Sequence, residues 1–331
     1  MKIIFASSSG IALHCLETLS NEDFCTLTAV LTNPDSAQGR KKELMPNEIA
    51  AGAALLSEKR IHRGKEAIKI IKAPDLKGSH FNEIADLKAD LLVVFAYGKI
   101  FSTQFLSLFP LGGINIHPSL LPKYRGAAPI QAAILNRDTE TGISIQYLAA
   151  KLDSGDILAQ ETIPLSRTET TTDLSKIVGE KAPLMLVTVL RSIAEGKAQS
   201  VRQNNEKASY FGTLKKEDGR IDWKESAEVI DARIRAFTPW PLSGTMHNGN
   251  ELFILAGKVY TGIIEAGIER NPGKAESLPG TVIGVDKDAG ILIQTGCGVY
   301  CANLLQYKTK KVLDWKNFLN GARDFEGSVL I

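Results

Sequence analysis

The sequence predicts an α/β chain in which a Rossmann-like, doubly wound, mostly parallel sheet is followed by a small OB-like β-barrel. Three observations carry this. In the N-terminal half, short apolar runs alternate with amphipathic stretches, the pattern of parallel strands covered by helices. In the C-terminal third, short strand-like runs succeed one another with turn signals between them, which suits a barrel. The chain has 331 residues, more than one hydrophobic core usually needs, so two domains are expected.

Taken in order, Met1-Lys2-Ile3-Ile4-Phe5 reads as a first strand with residues 3 to 6 as its apolar run, and not as a signal peptide. The turn that follows, Phe5-Ala6-Ser7-Ser8-Ser9-Gly10, stands where a dinucleotide loop would be but lacks G-x-G-x-x-G, which argues against a nicotinamide dehydrogenase. LTAVLT at 27 to 32, LLVVFA at 91 to 96 and INI at 114 to 116 supply further strands. Residues 172 to 195 read as a helix: Thr172 or Asp173 caps its start, Leu174, Ile177, Val178, Leu184, Val187 and Leu190 form an apolar face, and Gly196 stops it. The polar stretch from Lys197 to Ser209 reads as a linker. The expected division is therefore a catalytic domain at 1 to 195, a linker at 196 to 209 and a C-terminal OB-like domain at 210 to 331. Within the last, a short helix at 226 to 236 precedes strands at 252 to 257, 280 to 285, 290 to 295 and 299 to 305.

Lys and Arg total 39 against 37 Asp and Glu, a net charge of +2. Any nucleic-acid contact must then come from local patches and not from the overall field. No apolar run approaches the roughly 20 residues of a membrane span, and a cytoplasmic protein is expected. The four cysteines, Cys15, Cys25, Cys297 and Cys301, form no C-x-x-C pair. No His or second Cys pair completes a ligand set around Cys297 and Cys301, so no metal is expected and the cysteines read as small apolar packing residues. His14, His62, His80 and His247 read as structural or exposed.

The chemistry concentrates at Gly113-Ile114-Asn115-Ile116-His117-Pro118-Ser119-Leu120-Leu121-Pro122. Side chains alternate along a strand, so Asn115 and His117 share one face and Ile114 and Ile116 the other. An amide N–H can hold a carbonyl oxygen as it becomes an oxyanion, while an imidazole handles the proton, which suits transfer of an acyl-like group. The wet rim of a sheet shows the same alternation.

His117 is followed by SLLPKYRGAAPIQAAI and then by Lys151-Leu152-Asp153-Ser154-Gly155-Asp156-Ile157. Together these resemble the signature of the 10-formyltetrahydrofolate-dependent formyltransferases. The resemblance extends to NPDSAQGRKKELMP at 33 to 46, VVFAYGKI at 93 to 100 and GRIDWKESAEVIDARIRAFTPWP at 219 to 241. It implies a formyltransferase fold, catalysis by Asn115, His117 and Asp153, and 10-formyltetrahydrofolate as the formyl donor. The implied acceptor is the α-amine of initiator methionyl-tRNA, with no membrane and no obligate protein partner. In that scheme Asn115 holds the formyl oxygen, His117, if protonated, adds a charged donor and passes a proton to the departing nitrogen, and Asp153 favours the imidazolium and fixes its orientation. Asp156 serves the turn.

The resemblance also places Ser119, Leu120, Leu121 and Pro122 along the folate site. Phe95, Ala96, Tyr97 and Gly98, at the carboxyl end of a buried strand, would line the same crevice. Arg40, Lys41 and Lys42 occupy the insertion that this family uses on the tRNA acceptor arm; read by itself the charge run is a solvated loop. Lys215 and Lys216, and Lys308 with Lys310 and Lys311, are secondary basic patches for tRNA. Ser7-Ser8-Ser9 departs from the Gly-Thr-Pro that the family usually carries there. The competing readings are a formyltransferase acting on an amino sugar nucleotide or a purine-pathway amine, and a noncatalytic RNA-binding protein on the same fold.

Overall fold

The structure, a computed structural model, describes residues 1–38, 42–262, 278–322 and 324–331. Arg40 and Lys41 lie outside the described residues. The chain divides into two compact units: Met1–Pro129, Glu140–Pro164 and Leu174–Gly212 form the first, and Ile130–Thr139, Leu165–Asp173 and Thr213–Ile331 the second.

The elements run β1 (Lys2–Ala6), α1 (Leu13–Asn21), β2 (Thr26–Thr32), β3 (Ser36–Gln38), β4 (Glu43–Met45), α2 (Glu48–His62), β5 (Lys69–Lys72), α3 (Gly78–Ala85), β6 (Leu91–Phe95), α4 (Thr103–Leu106), β7 (Gly113–His117) and β8 (Arg125–Gly126). They continue with α5 (Pro129–Leu135), β9 (Glu140–Tyr147), β10 (Ile157–Pro164), α6 (Thr171–Ala194), β11 (Tyr210–Phe211), α7 (Ala227–Phe237), β12 (Ser243–His247), β13 (Asn250–Val259), β14 (Val282–Asp286), β15 (Gly290–Gln294), β16 (Val299–Tyr307), β17 (Leu313–Asp314) and α8 (Trp315–Gly321).

In the first unit a seven-stranded sheet has the order β10-β9-β7-β6-β1-β2-β5. The pairs from β7 to β5 are parallel, and β9 and β10 add an antiparallel edge. All five residues of β6 are buried, so the strand reads as an unbroken apolar run, as strands covered on both faces do. The order reverses at β1, which pairs with β2 on one side and β6 on the other. Ligand crevices of such sheets open beside that switch point, at the strand carboxyl ends.

Helix α6 buries Leu174, Val178, Ala182, Leu186, Val189 and Leu190, whereas Leu184 is 76% exposed. Leu184 was expected on the apolar face; it lies two residues from both Ala182 and Leu186, about 200° around the helix from each, and so projects opposite to them. The stretch expected to be a linker is part of the first unit. Val201 bridges Ile157, and Tyr210 and Phe211 pair in parallel with Arg125 and Gly126.

The second unit holds a six-stranded antiparallel sheet in the order β12-β13-β16-β15-β14, with β17 on β16. The last residues join its two ends. Met246 and Ile331 exchange backbone hydrogen bonds of 2.7 and 3.1 Å, while Val282 N–H donates to Ser328 O at 2.9 Å and Leu330 N–H to Gly280 O at 2.8 Å. Among the described residues that segment bonds both Met246 of β12 and Val282 of β14, and so closes the sheet into the expected barrel. Trp223, Ile230, Ile234, Leu252, Ile254, Ile293, Phe318 and Phe325 fill the interior, each contributing about 1.5–3 kcal/mol by leaving water. Cys15, Cys25 and Cys301 are buried as expected, but Cys297 is exposed. It falls between β15 and β16 beside Gly298, which has φ +82°, so a turn and not a strand face carries it.

Candidate active site

Strand β7 sets Asn115 and His117 on one face, with Ile114 and Ile116 fully packed on the other. The polar face is not a wet rim, since His117 is only 4% exposed and Asn115 is half-buried. His117 Nε2 lies 2.8 Å from the Tyr124 carbonyl. A carbonyl only accepts, so Nε2 carries the hydrogen and Nδ1 presents its lone pair. That nitrogen faces Asp153 Oδ2 at 3.7 Å. Burial pushes the imidazole below its ordinary pKa, against the opposing pulls of the Asp153 carboxylate and the Tyr124 carbonyl. Loss of hydration at this buried position thus outweighs one carboxylate at that separation and favours the neutral imidazole.

Asp153 sits in the turn between β9 and β10 with φ +50°, a left-handed conformation that Asp tolerates better than most residues. Its Oδ1 accepts from Asn115 Nδ2 at 3.3 Å and Gln146 Nε2 at 3.0 Å, and its Oδ2 from Gly126 N–H at 2.8 Å. Gly126 has φ +116°, and a Cβ there would stand 2.3 Å from Phe211 O. Only glycine brings this N–H to the carboxylate while β8 pairs with β11. Asp156 plays a different part: its backbone carbonyl accepts from Tyr147 N–H at 3.0 Å, within the β9 to β10 connection.

Four buried polar residues of this site escaped the sequence reading: Arg125, Ser144, Gln146 and Gln203. Gln146 lies opposite Asn115 in the β7–β9 register. Ser144 and Gln146 break the apolar run of β9 on alternate positions, a signal that could have marked them. Gln203 stands in a uniformly polar stretch and carries no local signal. Its amide reaches Gln146 Oε1, Asp153 O and Gly155 O at 3.0, 3.0 and 2.7 Å, and its Oε1 accepts from Arg125.

A Formyl transferase family model matches residues 1–190, and a model of the Formyl transferase C-terminal domain matches residues 213–323. A methionyl-tRNA formyltransferase of Treponema denticola is 43% identical over 98% of each chain. The chain belongs to the methionyl-tRNA formyltransferase family. Among solved structures, HypX from Aquifex aeolicus in complex with tetrahydrofolic acid matches with a TM-score of 0.62 at 16% identity, covering 98% of this chain and 48% of that one. A methionyl-tRNA formyltransferase from Clostridium thermocellum matches with a TM-score of 0.52 at 17% identity, covering 80% of this chain and 95% of that one. These two likenesses concern the fold.

In this formyltransferase the residues expected along the folate crevice separate into two kinds. Phe95 and Tyr97 are buried, and Tyr97 belongs to the core beneath the sheet, where its ring stacks on Phe101 at 5.7 Å. The exposed positions beside them are Ala96 and Gly98, with φ +50° and +78°. Ser119 is fully buried, donating to Lys123 O at 2.6 Å and accepting at its own carbonyl from Ser144 Oγ at 2.6 Å. Leu121 is buried too, whereas Leu120 and Pro122 are half-exposed.

The first strand-to-helix turn also departs from a nucleotide loop. Glu48 Oε2 accepts the Gly10 N–H at 2.5 Å, so a protein carboxylate holds the helix start where a dinucleotide phosphate would bind. Ser8 Oγ accepts from Asn33 N–H at 3.1 Å and lies 3.4 Å from Thr32 Oγ1. Of the basic residues, Lys42 is exposed with φ +53°, and Lys215 and Lys216 are exposed in the second unit. Lys216 and Lys308 converge on Glu251, at 3.9 and 2.5 Å, and Lys310 and Lys311 are exposed.

Proposed function

We propose that Asn115, His117 and Asp153 transfer the formyl group of 10-formyltetrahydrofolate to the α-amine of methionyl-tRNA. The observation that carries this reading is a buried imidazole with Nε2 on the Tyr124 carbonyl and Nδ1 3.7 Å from a carboxylate, on the same strand face as a half-buried carboxamide. As the amine attacks the formyl carbon, the carbonyl electron pair moves onto the oxygen, and the Asn115 N–H not engaged by Asp153 donates to that oxygen. His117 Nδ1 takes a proton from the attacking nitrogen. The imidazolium so formed is stabilised by Asp153 only once the reaction has begun, which favours the intermediate over the ground state. As the bond from carbon to N10 breaks, His117 returns the proton to N10. The net change is one formyl group moved one way and one proton the other.

For the folate, the exposed backbone at Ala96 and Gly98 offers polar edges and Leu120 with Pro122 offers apolar surface, a mixture suited to a flat ring with a polar rim. A fold relative that holds tetrahydrofolic acid supports this choice. Ser119, Leu121, Phe95 and Tyr97 act as the frame behind those positions. For the tRNA we assign Arg40, Lys41 and Lys42 to the acceptor arm, and Lys215, Lys216 and the Lys308 to Lys311 patch to phosphates. Residues 1 to 195 serve as the catalytic domain and 210 to 331 as the tRNA-holding domain, in the cytoplasm and without a metal.

The test is to offer purified protein a 10-formyltetrahydrofolate donor with methionyl-tRNA, free methionine or an amino sugar nucleotide. Formylation of methionyl-tRNA is expected. Formylation of the sugar nucleotide in its place would transfer the site to the amino-sugar reading, and no formylation of any amine would leave the RNA-binding reading.

A further inference from the structure

Arg125 is 2% exposed, and its donors end on neutral oxygens. Nε and Nη2 both reach Gln203 Oε1, at 3.1 and 2.7 Å, while Nη2 also reaches Asn205 Oδ1 at 2.9 Å and Nη1 the Tyr210 hydroxyl at 3.0 Å. A guanidinium can only donate, so it forces the carbonyl end of Gln203 toward itself. On its other side Gln203 meets the backbone carbonyls of Asp153 and Gly155, which can only accept. The orientation of this amide is thus set from both sides. Its two hydrogens are shared among these two carbonyls and Gln146 Oε1 at 3.0 Å, and the last contact turns the N–H of Gln146 onto Asp153 Oδ1 at 3.0 Å.

We infer that Arg125, Gln203 and Gln146 are positioning residues forming a one-way hydrogen-bond relay, whose polarity is imposed by Arg125 together with the Asp153 and Gly155 carbonyls and whose last donor holds the Asp153 carboxylate toward His117. A reversed amide anywhere along it would aim a carbonyl at the carboxylate and raise the proton affinity of the Asp153–His117 pair. The relay also ties the 201 to 211 segment to the reaction, because Gln203 comes from that segment. The titratable and charged side chains meeting the network are His117 on β7, Asp153 in the turn before β10, Arg125 on β8 and Tyr210 on β11.

The inference rests on the function proposed above, and its test separates the two. Gln203→Glu keeps an oxygen on the guanidinium but supplies no donor to Gln146. Asn205→Asp adds the same charge beside the same guanidinium, outside the path to Asp153. Expected for Gln203→Glu is a folded protein whose kcat falls about tenfold or more with KM little changed. Its His117 titration midpoint, followed by imidazole NMR, is expected to move up by about half a unit or more. Asn205→Asp should keep kcat within about twofold and show the smaller midpoint change. Wild-type kcat and midpoint in Gln203→Glu would overturn the relay. So would an Asn205→Asp variant that reproduced both changes, because the field of the added charge would then suffice. Should Gln203→Glu fail to fold, Arg125→Lys, which keeps a donor, is expected to hold the midpoint closer to wild type than Arg125→Met, and equal midpoints in the two would overturn it. The NMR comparison needs no substrate. A wild-type protein that formylates nothing would therefore defeat the proposed function without touching the relay.

Discussion

His117 Nδ1 faces Asp153 Oδ2 across 3.7 Å while Nε2 is held at 2.8 Å on the Tyr124 carbonyl. One nitrogen is thereby held as a donor, and the other turns its lone pair toward the carboxylate.

Replacing His117 or Asp153 by alanine is expected to lower kcat by about a hundredfold or more, about 2.7 kcal/mol of barrier. Asp156→Ala should stay within about threefold of wild type, because only its backbone carbonyl is used in the turn. Steady-state formylation by variants that melt normally checks this. Matching losses in Asp153→Ala and Asp156→Ala would show that the wrong carboxylate had been assigned.

Asn115→Asp is nearly isosteric and should be almost inactive. It removes the amide N–H, opposes charge growing on the formyl oxygen, and sets a second carboxylate against Asp153 Oδ1, which now accepts from Asn115 at 3.3 Å. Near-normal turnover at neutral pH would remove the oxyanion role from this residue.

The pH dependence follows from burial. His117 has its pKa lowered in the folded protein, so the reactive neutral form fills as pH rises through that lowered value. The His117 midpoint, followed by imidazole NMR, should then lie below the ordinary imidazole pKa of about 6.5. Stability follows the same sign: above the unfolded imidazole pKa His117 costs nothing, and as pH falls from there to the folded value the unfolded chain binds the proton first and stability drops. A midpoint above pH ~6.5 would instead show that the Asp153 carboxylate outweighs burial.

Gly126→Ala should cost about 2 kcal/mol or more in urea unfolding and should also lower kcat. The added Cβ meets Phe211 O at 2.3 Å in a left-handed backbone, and any escape pulls the N–H off Asp153 Oδ2. A variant with wild-type stability would mean that the short β8–β11 pair yields easily.

Alanine at Arg40, Lys41 and Lys42 together should weaken methionyl-tRNA binding and flatten its salt dependence, each lost phosphate contact removing about one unit of slope. Folate binding should not change. Titration at several salt concentrations decides, and an unaltered slope would leave the run as solvated surface.

Much of the molecule was legible along the chain because its information is periodic and local. The alternation at Ile114-Asn115-Ile116-His117 determined which side chains share a face, and the apolar runs of β1, β2 and β6 determined a parallel sheet, since strands covered on both faces must be apolar throughout. The motif around Asp153 singled it out over Asp156. Other properties belonged to the tertiary structure alone. Whether His117 rests neutral depends on how completely it is buried. Phe95 and Tyr97 are buried because layers cover both faces of the sheet at the end of β6, which spacing does not reveal. Barrel closure by residues 328 to 331 is a pairing between ends remote in sequence. The relay joins Arg125 to Gln203, 78 residues on, and Gln203 to Gln146, 57 residues back. Desolvation and donor polarity are set by what the fold brings together, and no window of neighbouring residues contains them.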